Sequence, residues 1–124
     1  MKQVIEIKAD GEVLSRTMPG GDVSSELHWL QKTVGGYIET VSALNLQESG
    51  IVMILDEDGK IKRKPFNSLA TLLYKYGDSD PVVGDVILAK ADEEKEDLVG
   101  FEDEVFFRLM DEILQVRMHA KFYA

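Results

Sequence analysis

Hydrophobic and polar positions switch between two periods along the chain, and the switches outline a succession of strands and helices. Over Gln3 to Ala9 the apolar Val4 and Ile5 sit among charged neighbours in the manner of a strand. Asp10-Gly11 supplies a tight turn into a second strand around Val13 to Thr17, so the spacing predicts an opening hairpin. Pro19-Gly20-Gly21-Asp22 breaks that pattern, and Leu27, Leu30 and Val34 then recur at helical spacing behind Ser24 or Ser25 as a cap. Gly35 suits the left-handed closing residue of this helix, and Gly36 permits close backbone approach where the next strand begins.

Tyr37 to Leu44 alternates as a half-buried strand, with Tyr37, Glu39 and Val41 on one face and Ile38, Thr40 and Ser42 on the other. Ile51 to Leu55 is continuously apolar; Asp56-Glu57-Asp58-Gly59 reads as a turn and Lys60 to Lys64 as the returning strand of a second hairpin, stopped by Pro65. Asn67 or Ser68 caps a short helix with Leu69, Leu72, Leu73 and Tyr76 on one face, ended by Gly77. Val86 to Ala89 is short and wholly apolar, which fits a central strand. An acidic linker over 91–101 leads to a long helix over 102–121, striped by Val105, Phe106, Leu109, Met110, Ile113 and Val116. Its acidic start and basic end match the helix dipole. The expected architecture is a single α+β domain over 1–124: a mostly antiparallel mixed sheet of five to six strands, two short helices and one long carboxy-terminal helix.

Length agrees with one core, since 124 residues with 44% hydrophobic content suit one compact domain. An apolar run of about 18 residues, which a membrane span needs, does not occur, nor does a secretory signal pattern, so a cytoplasmic protein is expected. The chain has no cysteine, which removes disulfides, thiolate nucleophiles and cysteine zinc sites together. Net charge is -9, and residues 92–104 carry eight acids against one lysine, or -7 of it. The remainder, 15 acids against 13 bases, is nearly neutral, yet the overall field disfavours duplex nucleic acid.

Catalytic patterns are few. Asp56 to Gly59 resembles the start of a calcium loop, but Lys60 stands where an oxygen ligand belongs and no acid closes the loop, so no metal is expected. His28 and His119 lack a third partner, no serine lies in a nucleophile elbow, and the glycine pairs form no phosphate-binding fingerprint. Binding residues are easier to nominate. Tyr37 and Glu39, framed by Gly36, present either an aromatic platform with a carboxylate acceptor or two ordinary exposed strand residues. On the predicted return strand Arg63 turns away from Lys60, Lys62 and Lys64, and beside the helix start at Asn67 it makes either an anion clamp or part of a solvated edge.

These residues also carry a resemblance. Leu30-Gln31, Val34 to Glu39, the acidic turn Asp56 to Lys60, Asn67 with Ala70-Thr71, and Val83-Gly84-Asp85-Val86 together resemble the domain-of-unknown-function 3846 family of small phage and bacterial proteins, over residues 27–89. The resemblance implies a phage or prophage setting and a compact mixed fold, with no activity to carry over. The expectation is a non-enzymatic, cofactor-free protein: a homo-oligomeric counter-defence sponge in the host cytoplasm that holds a nucleotide signal through Gly36, Tyr37, Glu39, Arg63, Asn67 and Thr71. The alternative is an acidic inhibitor, of DNA-mimic or anti-restriction type, whose 92–104 segment engages a host defence protein.

Overall fold

The computed structural model describes residues 2–43, 45–74, 76–94 and 97–123, with 121–123 as backbone only. The elements run β1 (Lys2–Ile7), β2 (Val13–Met18), α1 (Val23–Val34), β3 (Ile38–Ser42), β4 (Ile51–Asp56), α2 (Ser68–Leu73), β5 (Val86–Asp92), β6 (Asp97–Val99) and α3 (Asp103–Tyr123). The result is an α+β domain with one six-stranded antiparallel sheet, ordered β2-β1-β5-β4-β3, with β6 paired to the far end of β5.

Alternation along the strands sorts the side chains into two cores. Ile5, Ile7, Met53, Val86 and Leu88 face α2 and α3, where Leu69, Ala70, Leu73, Leu109 and Ile113 meet them. Val4, Met18, Ile54, Ile87 and Ala89 face the other way, onto Leu30 and Val34 of α1. Strands β4 and β5 are covered on both faces, which is why their sequences read as unbroken apolar runs rather than as alternation. Val86 to Ala89 occupies the middle of the sheet, as its composition predicts.

Helix α1 begins one turn earlier than the serines suggest. The Asp22 carboxylate accepts the Ser25 N–H at 2.7 Å and is the cap, which holds its carboxyl below the usual carboxylate range. Gly35 closes the helix at φ 86°, its N–H donating to the Gln31 carbonyl. Leu30 and Val34 are buried, but the third buried residue is Glu26, paired with Lys2, and Leu27 is exposed. On the same side of the sheet the buried Glu6 accepts Arg16, whose guanidinium lies 5.4 Å from the Trp29 ring centre.

Two expectations are corrected. Lys60 to Lys64 is not a strand: the backbone after β4 coils through successive turns, with Lys62 donating to the Asp58 carbonyl and Lys64 to that of Gly59, and Arg63 has φ 57°. The long-range partner β5 takes the edge of β4 that the hairpin return was expected to fill. The span 91–101 is not a linker, because β5 continues to Asp92, β6 returns over Asp97–Val99, and Phe101 is buried in the core. The apolar stripe of α3 packs on the domain's own sheet and leaves only Phe107 and Met118 as large exposed hydrophobics of the described helix. The side chains of Phe122 and Tyr123, and all of Ala124 and Leu44, lie outside the described residues. Among the described residues no helix is long and apolar enough to cross a membrane.

Candidate functional site

The glycine junction after α1 is filled from within. Asp56, the last residue of β4, is buried, and its Oδ2 accepts Lys62 Nζ at 2.8 Å and Lys64 Nζ at 2.7 Å. The same two ammonium groups donate to the carbonyls of Gly35 (3.0 Å) and Val34 (2.6 Å), the open C-terminal end of α1. Asp56 Oδ1 accepts the Asp58 N–H at 2.9 Å, which fixes the first turn of the 57–64 loop. Burial pushes the Asp56 carboxyl up, but the hydrogen bonds from Lys62, Lys64 and Asp58 outweigh it and hold the group at about 2. Gly36 sits against this cluster: a Cβ there would lie 2.5 Å from Lys62 Nζ and 2.6 Å from Asp56 Oδ1. The junction is therefore a strap that ties a loop to a helix end, and Gly36 has no room for a ligand.

Asn67 is a second internal fastener. It is 0% exposed; its Oδ1 accepts the Ala70 N–H as the cap of α2, and its Nδ2 donates to the carbonyls of Ile7 (3.0 Å) and Gly84 (2.8 Å). Thr71 Oγ1 donates to the Asn67 carbonyl and accepts the Val82 N–H. The side-chain polar atoms of Asn67 are thus engaged inside the protein, while the anion contact expected near it falls to backbone donors at the helix start. Arg63, freed from the expected strand, is exposed on the 57–64 loop.

Tyr37 is 69% exposed, and its carbonyl accepts the Glu57 N–H. Glu39 borders a cleft of about 120 Å³ with Glu57, Lys60, Tyr74 and Asp80. Lys60 is paired with Asp80 there. Burial together with the charges of Asp80 and Glu39 pushes the Tyr74 hydroxyl up. A cleft of this size is below the ~300 Å³ at which small-molecule sites begin, and its acidic lining repels phosphate. The six nominated residues thus divide: Gly36 and Asn67 are structural, Tyr37, Glu39 and Arg63 are exposed, and Thr71 borders a different concavity.

That concavity is the largest described. A groove of about 1070 Å³ runs between the β1–β2 turn, the start of α2 and the last turns of α3. Phe66 and Leu72, both exposed, form its apolar wall; Arg117 and His119 approach from α3, and Asp10 and Glu12 from the turn. Arg117 Nη1 donates to the Gly11 carbonyl at 3.0 Å, which ties helix to turn across the groove. Each part is legible as an element end, but no spacing along the chain relates residues 10–12, 66–72 and 115–120.

Fold and site together define a small α+β domain with a wide groove where α2 and α3 meet the opening hairpin. The family described as Domain of unknown function (DUF3846) matches residues 1–114, and the chain belongs to that family. The match takes in the opening hairpin and most of α3, beyond the 27–89 span on which the resemblance rested. No curated protein and no solved structure matches the chain.

Proposed function

We propose that the protein binds a small anionic ligand of the nucleotide class, without turnover, in the groove between the β1–β2 turn, α2 and α3. One observation carries this reading: an exposed aromatic ring, Phe66, shares a groove of ligand size with Arg117 and His119 of α3. A base stacks on Phe66 and Leu72, while the guanidinium of Arg117 and the ring of His119 meet the phosphate. Arg117 carries five N–H donors and gives one to Gly11, so it serves the turn and a ligand together. Asp10 and Glu12 supply acceptors for ribose hydroxyls. The stacking role expected for Tyr37 passes to Phe66, and the phosphate role expected for Arg63 passes to Arg117. Sequestration of a nucleotide immune signal during phage infection is the biological form this reading takes.

The test is a thermal-shift panel of cyclic oligonucleotides and ADP-ribose derivatives, followed by release of each stabilising ligand by heat and its chemical identification. A stabilising ligand recovered intact supports sequestration. Recovery of a product makes the protein an enzyme, and a flat panel ends the small-ligand reading. A second reading, capture of a basic protein, is favoured by a separate observation on the opposite face of the sheet.

A further inference from the structure

The apolar stripe of α1 runs further than the sheet beneath it. Leu30 and Val34 are buried against the sheet, but Leu27 and Val23, one and two turns toward the helix start, continue the same stripe into the open, and Val23 is 74% exposed. Facing them across a groove of about 500 Å³ are Ile38 and Leu98, so apolar side chains on three elements, α1, β3 and β6, look onto one concavity. Helix residue Val23 and the β5–β6 hairpin both border it, and nothing among the described residues fills it.

The rest of the lining has one sign. Among the described residues, every charged side chain bordering the groove is an acid: Glu26 from α1, and Asp92, Glu93 and Asp97 from the β5–β6 hairpin. The Lys2 ammonium group stands beside two of them and is already shared. Lys2 Nζ lies 2.6 Å from Glu26 Oε1, 3.5 Å from Asp97 Oδ2, and donates to the Leu98 carbonyl at 2.6 Å. Burial pushes Lys2 down, but these two carboxylates outweigh it and hold the ammonium above its usual range, so it stays charged. Among the described residues, acids alone line a groove whose floor is hydrocarbon, with the Lys2 ammonium held between Glu26 and Asp97. Such a surface fits apolar side chains flanked by cations, and it repels acidic or phosphate-bearing ligands.

We infer that this groove docks a short basic, amphipathic segment of a partner protein, with its apolar side chains on Val23, Leu27 and Leu98 and its lysines or arginines at Asp92, Glu93 and Asp97. The inference deepens the second reading by assigning a surface and a partner chemistry, and it is independent of the nucleotide groove. It also relocates the acidic contact: the carboxylates at Asp92 and Asp97 matter because a hairpin holds them beside an apolar helix face, not because they form a charged tail. Hydrophobic contact sets how long the segment stays, while the acids set the encounter rate and its salt dependence.

The probe is a fluorescent amphipathic peptide of leucine and lysine, compared by anisotropy with a version carrying glutamate for lysine and a version carrying serine for leucine. The leucine-lysine peptide should bind at least tenfold more tightly than either control. Val23→Ser with Leu27→Ser, both at exposed positions, should weaken it at least tenfold while the thermal midpoint stays near the parent's. Asp92→Asn with Glu93→Gln should weaken it less and flatten its salt dependence. Arg117→Gln should leave it unchanged, which separates this surface from the nucleotide groove. Equal binding of the lysine and glutamate peptides overturns the proposal, as does binding indifferent to the Val23 and Leu27 changes, since the peptide would then rest on general acidity. A concentration-dependent dimer that the Val23→Ser, Leu27→Ser protein loses overturns it as well, by making a second copy the occupant.

Discussion

Gly36 and Asp56 are packed so closely that a methyl group on Gly36 would lie 2.6 Å from the Asp56 carboxylate. Asp56 is short, buried and held on three sides, so it cannot swing away as a long surface side chain does. Gly36→Ala is expected to destabilise the fold by about 1–3 kcal/mol, the range for inserting one carbon into a packed site. Urea unfolding would read this as a lower midpoint at an unchanged slope. A midpoint equal to the parent's would show that the strap yields freely and that the close contact has no energetic weight.

Acid should loosen the same strap in a defined window. The Asp56 carboxyl is held at about 2 against an ordinary value of 3.8, so folding favours its ionised form. The stabilisation is complete above about pH 4 and is lost as pH falls through about 2. It amounts to roughly 1–2 kcal/mol once the partial exposure of Lys62 is allowed for. Many other carboxylates titrate in this range, so the informative quantity is the difference between parent and Asp56→Asn. That difference should be largest near neutrality and shrink between about pH 4 and 2; a difference independent of pH would assign the loss to packing rather than charge.

Removing the cations instead of the carboxylate should cost more. Lys62→Met with Lys64→Met leaves a buried Asp56 with only the Asp58 N–H, and also uncovers the carbonyls of Val34 and Gly35. Breaking a buried pair by deleting one side typically costs about 3–5 kcal/mol. Either single variant keeps one lysine on the carboxylate and should lose less than half of the double variant's loss. Equal losses from a single and the double variant would mean that only one lysine contributes.

Asn67 separates capping from donation. Asn67→Asp keeps an oxygen for the Ala70 N–H but loses both donors to Ile7 and Gly84, and it sets an acid oxygen against two carbonyls. A cap alone is worth about 1 kcal/mol, whereas buried carbonyls left without donors add about 1–3 kcal/mol each. The expected loss is therefore above 2 kcal/mol for both Asn67→Asp and Asn67→Ala, measured by chemical unfolding. If Asn67→Asp matched the parent, only the cap would matter.

The residues explain which features were legible beforehand. As helix stop and helix cap, Gly35 and Asn67 act on Gln31 and Ala70, within four residues, so local chemistry announced both; the Asn67 donations to Ile7 and Gly84 are long-range and were not legible. The continuous runs at Ile51 and Val86 announced burial on both faces, and burial of that kind survives whatever the topology. The region 60–64 misled because a turn followed by alternating residues looks like a hairpin, although it contains one apolar residue, Ile61, that finds no core and remains 82% exposed. What decided its shape was the arrival of β5, some thirty positions later, on the free edge of β4. Strand β6 was hidden for the opposite reason: its three residues carry too little pattern to stand out from an acidic run. The larger groove was hidden by separation along the chain, since Phe66, Arg117 and Asp10 lie in three separate parts of it and no local spacing relates them.

Affinity measurements on the larger groove give the last prediction. Phe66 is 56% exposed and supports no buried core, so Phe66→Ala should leave the thermal midpoint nearly unchanged. A base stacked on an aromatic ring contributes about 1–3 kcal/mol, which corresponds to a loss of roughly 5- to 150-fold in affinity for a nucleotide found by the panel. Arg117→Gln removes a charged donor, with about 1.5–3 kcal/mol at stake, and should also flatten the dependence of affinity on salt. It loosens the tie to Gly11 as well, so Arg117→Lys serves as the partner variant: it keeps the charge but not the fork that reaches turn and phosphate together. Tyr37→Ala and Arg63→Ala lie away from the groove and should bind as the parent does. Calorimetric titration that finds Tyr37→Ala and Arg63→Ala impaired, with Phe66→Ala and Arg117→Gln intact, would return the site to the glycine junction and require the acidic cleft beside Glu39 to open.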